Sequence, residues 1–136
     1  VITDIQKIKL ITAIDKAEGH GSLAYTVEGR PACVIAQLAL LEGASVNLIK
    51  KWDDSVFVIL GKSSTPKGLK EYPSKLLQYL QFLWDDRTIN HTVARERMRE
   101  LVYAAADVYS DKDTEMDKLA QQMGLPTISG LESSPE

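Results

Sequence analysis

Two helical segments joined by only three residues constrain this chain more than any other feature in it. Pro31 to Trp52 reads PACVIAQLALLEGASVNLIKKW. A helix carrying Val34, Ile35, Leu38, Ala39 and Leu41 must stop at Gly43, and Ser45 is placed to cap a successor carrying Val46, Leu48, Ile49 and Trp52. The connection Gly43-Ala44-Ser45 is too short to let the helices separate. The expectation is a tight corner in which Ala39 packs against Ile49 and Trp52.

On either side of that corner the periodicity is mostly helical. Ile2, Ile5, Ile8, Ile11 and Ile14, with Ala17, recur behind Thr3 or Asp4 as a cap and predict a helix over Asp4 to Glu18, ended by Gly19 and Gly21. Leu23 to Val27 is short and β-prone, Glu28-Gly29 is a two-residue turn with Gly29 supplying a positive φ, and Arg30 to Val34 returns. Pro31 has no N–H to donate, so the return strand is short or lies at an edge, or Pro31 opens the helix that follows. Val56 to Leu60 reads as a buried strand by its β-branching, with a helix as the alternative. Gly61 to Pro73, with two glycines and two prolines, reads as the longest loop.

Ser74 is then placed to cap a helix carrying Leu76, Leu77, Leu80, Leu83 and Trp84. From Ile89 another stripe runs through Val93, Ala94, Leu101, Val102, Ala105 and Val108. Thr114 and Asp117, at capping-box spacing, open a last helix over Thr114 to Met123, closed by Gly124. The expected fold is mainly α, with five to six helices around one core and a small β-hairpin near residues 23–34. A single helical domain over 1–125 precedes a flexible C-terminal tail over 126–136.

Bulk properties narrow the class. Apolar runs such as Val56 to Leu60 reach no more than six residues, far short of the about 20 that cross a bilayer. The lysine-punctuated first helix does not read as a signal peptide. Cys33 is the single cysteine, so no disulfide forms within the chain and a reducing, cytoplasmic setting is expected. Net charge is −3, and it is unevenly spread: residues 1–50 balance, residues 51–100 carry +2 and residues 101–136 carry −5. A neutral to faintly basic body weakens a nucleic-acid reading without removing it.

The corner nevertheless carries the pattern of a known reader. Ala39 as the small residue of a first helix, Gly43 at the turn, and Ile49 and Trp52 as seating residues resemble the helix-turn-helix DNA-binding family over about 20 residues. That resemblance implies that Ser45, Val46, Asn47, Lys50 and Lys51 face the major groove or its phosphates, with Asn47 reading adenine and the lysines neutralising phosphate. Two features depart from the pattern. Glu42 stands where an apolar residue normally precedes the glycine, and Asp53-Asp54 follows the reading helix. A wider set of residues, Gly29, Pro31, Cys33, Val34, Ile35, Leu38 and Gly43 after a strand around Tyr25, resembles a group of small helical proteins from actinobacteria and their phages. It differs in having Ala36-Gln37 where the group often has Gly-His, and it implies the architecture and a viral or mobile-element origin.

Other constellations are weaker. Cys33 at a helix N-terminus could be a nucleophile with His20 or His91 as base, but its apolar neighbours favour a small buried hydrophobe. The same histidines and cysteine lack metal-ligand spacing, so neither metal nor cofactor is expected. Gly61-Lys62-Ser63 lacks the glycine five residues earlier that a phosphate loop needs, and Pro66 breaks the Ser64 to Lys67 match to a Ser-x-x-Lys pair. The carboxylate pairs Asp53-Asp54 and Asp85-Asp86 read as caps of the next element. With no complete catalytic set, the first expectation is a non-enzymatic regulatory or interaction protein that binds another protein, using the mixed-charge helix face with Arg95, Arg97 and Arg99. A homodimer stays compatible. DNA binding through Ser45, Asn47, Lys50 and Lys51 is the alternative, and cysteine chemistry at Cys33 the third.

Overall fold

A computed structural model describes residues 2–22, 25–54, 68–108 and 113–125. It is mainly helical, with α1 (Asp4–Lys16), β1 (Thr26–Val27), β2 (Arg30–Pro31), α2 (Val34–Leu41), α3 (Val46–Asp54), α4 (Ser74–Asp85), α5 (His91–Val108) and α6 (Asp113–Gln122). The strand or helix expected at Val56–Leu60, most of the expected loop and the expected tail lie outside the described residues. Among those residues, no helix is long and apolar enough to cross a membrane.

α1 starts as its sequence dictates. The Thr3 hydroxyl accepts the Gln6 N–H at 3.0 Å and the Gln6 carboxamide accepts the Thr3 N–H at 2.9 Å, a reciprocal capping box. Its buried face differs from the isoleucine stripe. Leu10, Ala13 and Ile14 are fully buried, whereas Ile5 and Ile8 are 67% and 63% exposed. The reason is geometric: three residues fall short of a 3.6-residue turn, so each isoleucine rotates about 60° from the last and the five cannot share one face. The helix also ends at Lys16, two residues earlier than expected, because Ala17 is extended.

The hairpin is as short as Pro31 requires. β1 and β2 pair antiparallel with Thr26 opposite Pro31 and Val27 opposite Arg30. Both turn residues have positive φ, Glu28 at 53° and Gly29 at 77°, the backbone that a two-residue hairpin turn of the I′ class needs. Cys33 caps α2, its sulfur accepting the Ala36 N–H at 3.4 Å. α2 then ends in a Schellman closure: Ala44 N–H donates to the Ala39 carbonyl at 3.0 Å across Gly43 at φ 98°. Ser45 caps α3 by accepting the Leu48 N–H at 3.1 Å.

Further along, two caps are not the expected ones. Pro73 occupies the cap position of α4, which begins at Ser74 itself, and α6 begins at Asp113, ahead of Thr114. Asp117 serves tertiary structure instead, accepting the Tyr79 hydroxyl at 2.6 Å and Lys75 Nζ at 3.2 Å across the α4–α6 interface. Asn90 caps α5 by accepting the Val93 N–H at 2.9 Å. Asp86 holds the preceding turn through the Thr88 N–H at 2.8 Å.

One buried cluster joins these helices, with Leu10 and Ile14 of α1, Ile35 and Leu38 of α2, Leu76, Leu80 and Trp84 of α4, and Met98 and Leu101 of α5 at its centre. Arg95 fastens its edge. Its Nη1 donates to the carbonyls of Ile14 and Asp15 at 2.7 and 3.0 Å, and its Nη2 to that of Ala17 at 2.7 Å. The guanidinium lies 4.9 Å from the Trp84 ring centroid, whose indole N–H donates to the Glu18 carbonyl at 3.0 Å. Replacing Arg95 by Ala should therefore lower unfolding stability by about 2–4 kcal/mol, because carbonyls at a helix end lose a charged donor. Arg99→Ala, which removes only a half-exposed pair with Asp15, should cost under about 1 kcal/mol. Urea midpoints at constant m-value measure both.

Candidate functional site

The α2–α3 corner forms much as its sequence implies. Ala39, Ile49 and Trp52 are buried and belong to the same core cluster. Trp52 also meets Tyr25 edge-on, with ring centroids 5.5 Å apart and planes at 78°, which ties α3 to the hairpin. Lys50 lies along the hairpin turn, so that a Cβ at Gly29 would stand 3.4 Å from Lys50 Cε.

Only Ile49 and Trp52 of α3 are buried among its described side chains, so the helix protrudes. Ser45, Asn47, Lys50 and Lys51 are all exposed, sharing that outer surface with Val46 and Leu48. With Leu40 and Leu41 at the end of α2, these give four large apolar side chains that are 36–43% exposed.

Glu42, the acidic departure at this corner, has a structural task. Its carboxylate pairs with Lys9 of α1 and is largely shielded from solvent. It lies close enough to Tyr72 for its charge to reinforce the upward shift that burial imposes on the Tyr72 phenol. An acid at this position thus links α2, α1 and the approach to α4.

The three arginines of α5 have different fates. Arg95 and Arg99 are directed at the end of α1: Arg95 reaches its carbonyls, and Arg99 Nε reaches the Asp15 carboxylate at 3.1 Å. Arg97 instead lines a space of about 100 Å³ formed with Tyr79, Phe82, Leu83, Asp86, Gly124 and Leu125. Sequence reasoning treated all three as one solvated face because periodicity places a residue on a helix surface without showing which neighbouring helix end lies over it.

Cys33 is buried and lines a cavity of only about 10 Å³ with Val34, Ile35, Gln81, Trp84 and Asp85. Neither histidine lines that space. Asp85 was missed as anything but a cap. Burial pushes its carboxyl up to about 6, against the opposing pull of Arg87. The histidines line a separate cleft with Trp84 and Arg95. Among the described residues, no three His, Cys, Asp or Glu side chains gather as a metal site.

The Asp85 shift sets a pH dependence. A carboxyl with a raised folded-state pKa binds more protons when folded than when unfolded between 3.8 and about 6, so stability contributed by this group falls as pH rises through that window. Asp85→Asn should raise stability at neutral pH by about 1–2 kcal/mol, a figure reduced for partial solvent access and for the lost attraction to Arg87. It should also flatten that part of a stability-against-pH curve recorded by denaturant titration. Comparison with known proteins adds no relative: no family model, curated protein or solved structure matches the chain.

Proposed function

We propose that this chain is a non-enzymatic regulatory or interaction protein that docks on another protein through the α2–α3 corner, in a reducing cytoplasmic setting. The observation that carries the reading is a concentration of exposed apolar surface. Four of the eight large apolar side chains exposed among the described residues fall within Leu40–Leu48. Leu40 and Leu41 close α2, and Val46 and Leu48 stand on the protruding α3 beside the exposed Lys50 and Lys51. An apolar centre with a cationic rim suits an amphipathic partner segment with acidic flanks, the apolar contacts supplying affinity and the charges orientation.

A second reading is supported by the same helix. Ser45, Asn47, Lys50 and Lys51 share the exposed surface that a groove-reading helix needs. Val46 and Leu48 weigh against it, since exposed aliphatic side chains gain little beside phosphates, and a pair of lysines is a small electrostatic footprint.

The two readings separate experimentally. Leu48→Glu keeps the Ile49 and Trp52 anchors, so the variant should remain folded by circular dichroism. Quantitative affinity capture from a bacterial host lysate should recover a stoichiometric partner with the parent chain and lose it with Leu48→Glu. Identical recovery with both chains would overturn the docking proposal. Titration of labelled duplex should give no binding at low salt. Binding that falls steeply with added salt and disappears in a Lys50→Ala/Lys51→Ala variant would replace the first reading by the second.

A further inference from the structure

We infer that the cleft between the end of α1 and the start of α5 is a binding site for a small oxyanion, a phosphate or a carboxylate. The cleft has a volume of about 260 Å³ and is lined by Ala17, Glu18, Gly19, His20, Trp84, His91 and Arg95. It is separate from the α2–α3 corner, and the inference does not rest on the docking proposal.

The donors facing this space are unusually available. Arg95 directs three hydrogen bonds at the carbonyls of Ile14, Asp15 and Ala17. A guanidinium has five N–H groups, so part of its donor set, including Nε–H, is not used by the described residues. His91 occupies the first position of α5, one helical turn before Arg95, is exposed, and makes no hydrogen bond among the described residues. His20 Nε2 lies 2.9 Å from the Asp86 carbonyl. That contact needs the proton on Nε2 and leaves Nδ1 as the ring's remaining polar atom. The ring is steadied edge-on against Trp84 at 5.1 Å, and the same indole lies under Arg95.

The acidic groups nearby already have donors of their own. Glu18 accepts Arg30 Nη2 at 3.0 Å, Asp86 accepts the Thr88 N–H, and Asp15 accepts Arg99. The cleft therefore presents one fixed cation, two imidazoles and the Arg30-paired Glu18. An oxyanion accepts hydrogen bonds from the guanidinium and both imidazoles when the histidines are protonated. A divalent metal fits less well, because the guanidinium repels it and the third protein ligand is missing among the described residues.

Titration of the full chain with inorganic phosphate, and separately with acetate, tests the inference by following the histidine ring resonances in NMR at constant ionic strength. The expected result is a saturable millimolar shift of both His20 and His91. His91→Ala, at an exposed position, should keep the fold and weaken binding by about threefold to tenfold, the loss of one exposed charge-assisted hydrogen bond. Lys50→Ala/Lys51→Ala should leave it unchanged. No saturable shift, an equal shift with chloride, or unaltered affinity in His91→Ala would each overturn the site. If phosphate saturates and acetate does not, the ligand class narrows to phosphoryl groups; the reverse narrows it to carboxylates.

Discussion

The closing of α1 by Arg95 is the contact on which the rest of the arrangement depends. A helix end leaves carbonyls that water or a donor must satisfy. Here the donor comes from the second turn of α5 and is held over the Trp84 ring of α4. One guanidinium thereby fixes the relative placement of α1, α4 and α5. Around it the turn after α1 is wired down by short polar contacts. Gly21 N–H donates to the Trp84 carbonyl at 3.0 Å, Arg87 Nε to the Gly21 carbonyl at 2.6 Å, and Glu18 N–H to the Ala32 carbonyl at 2.8 Å. The last of these carries the constraint forward to the start of α2.

From that anchored end the chain loosens toward the corner. α2 is buried along most of its length, with Val34, Ile35, Ala36, Leu38 and Ala39 inside. Its cap, the Cys33 sulfur, is itself part of the core. By contrast, α3 touches the body through Ile49 and Trp52 and rests on a hairpin of two residues per strand. The surface proposed for docking thus includes the helix with the fewest buried side chains among the described residues. The proposed anion cleft lies at the opposite extreme, where backbone and side chains are most tightly tied.

Local chemistry was legible in the sequence wherever one short segment decides the outcome. The cap at Thr3, Glu28 with Gly29, Gly43 with Ser45, and the Leu76 to Trp84 stripe all act within a few residues, and the mainly α fold with its small hairpin follows from them. What escaped is long-range. Arg95 was indistinguishable from Arg97 and Arg99 because its partners lie 78 to 81 residues away. Asp117 looked like a cap for its own helix and is claimed by Tyr79, 38 residues distant. Glu42 read as a fault in a motif until Lys9 was seen beside it. The exposed pair Ile5 and Ile8 was hidden by a spacing that resembles a helical face and drifts around it.

The slender seating of α3 has a consequence for how the corner responds to being bound. A helix held by two buried side chains opens locally at a lower free energy than the core beneath it, so its backbone bonds exchange with solvent before those of α1 or α5. A ligand resting on its outer surface would suppress that opening and so gain affinity at the expense of local motion. Trp52, which faces the hairpin through Tyr25, would carry the stiffening into β1 and β2. The corner would then act less as a rigid plate than as a spring that a partner compresses.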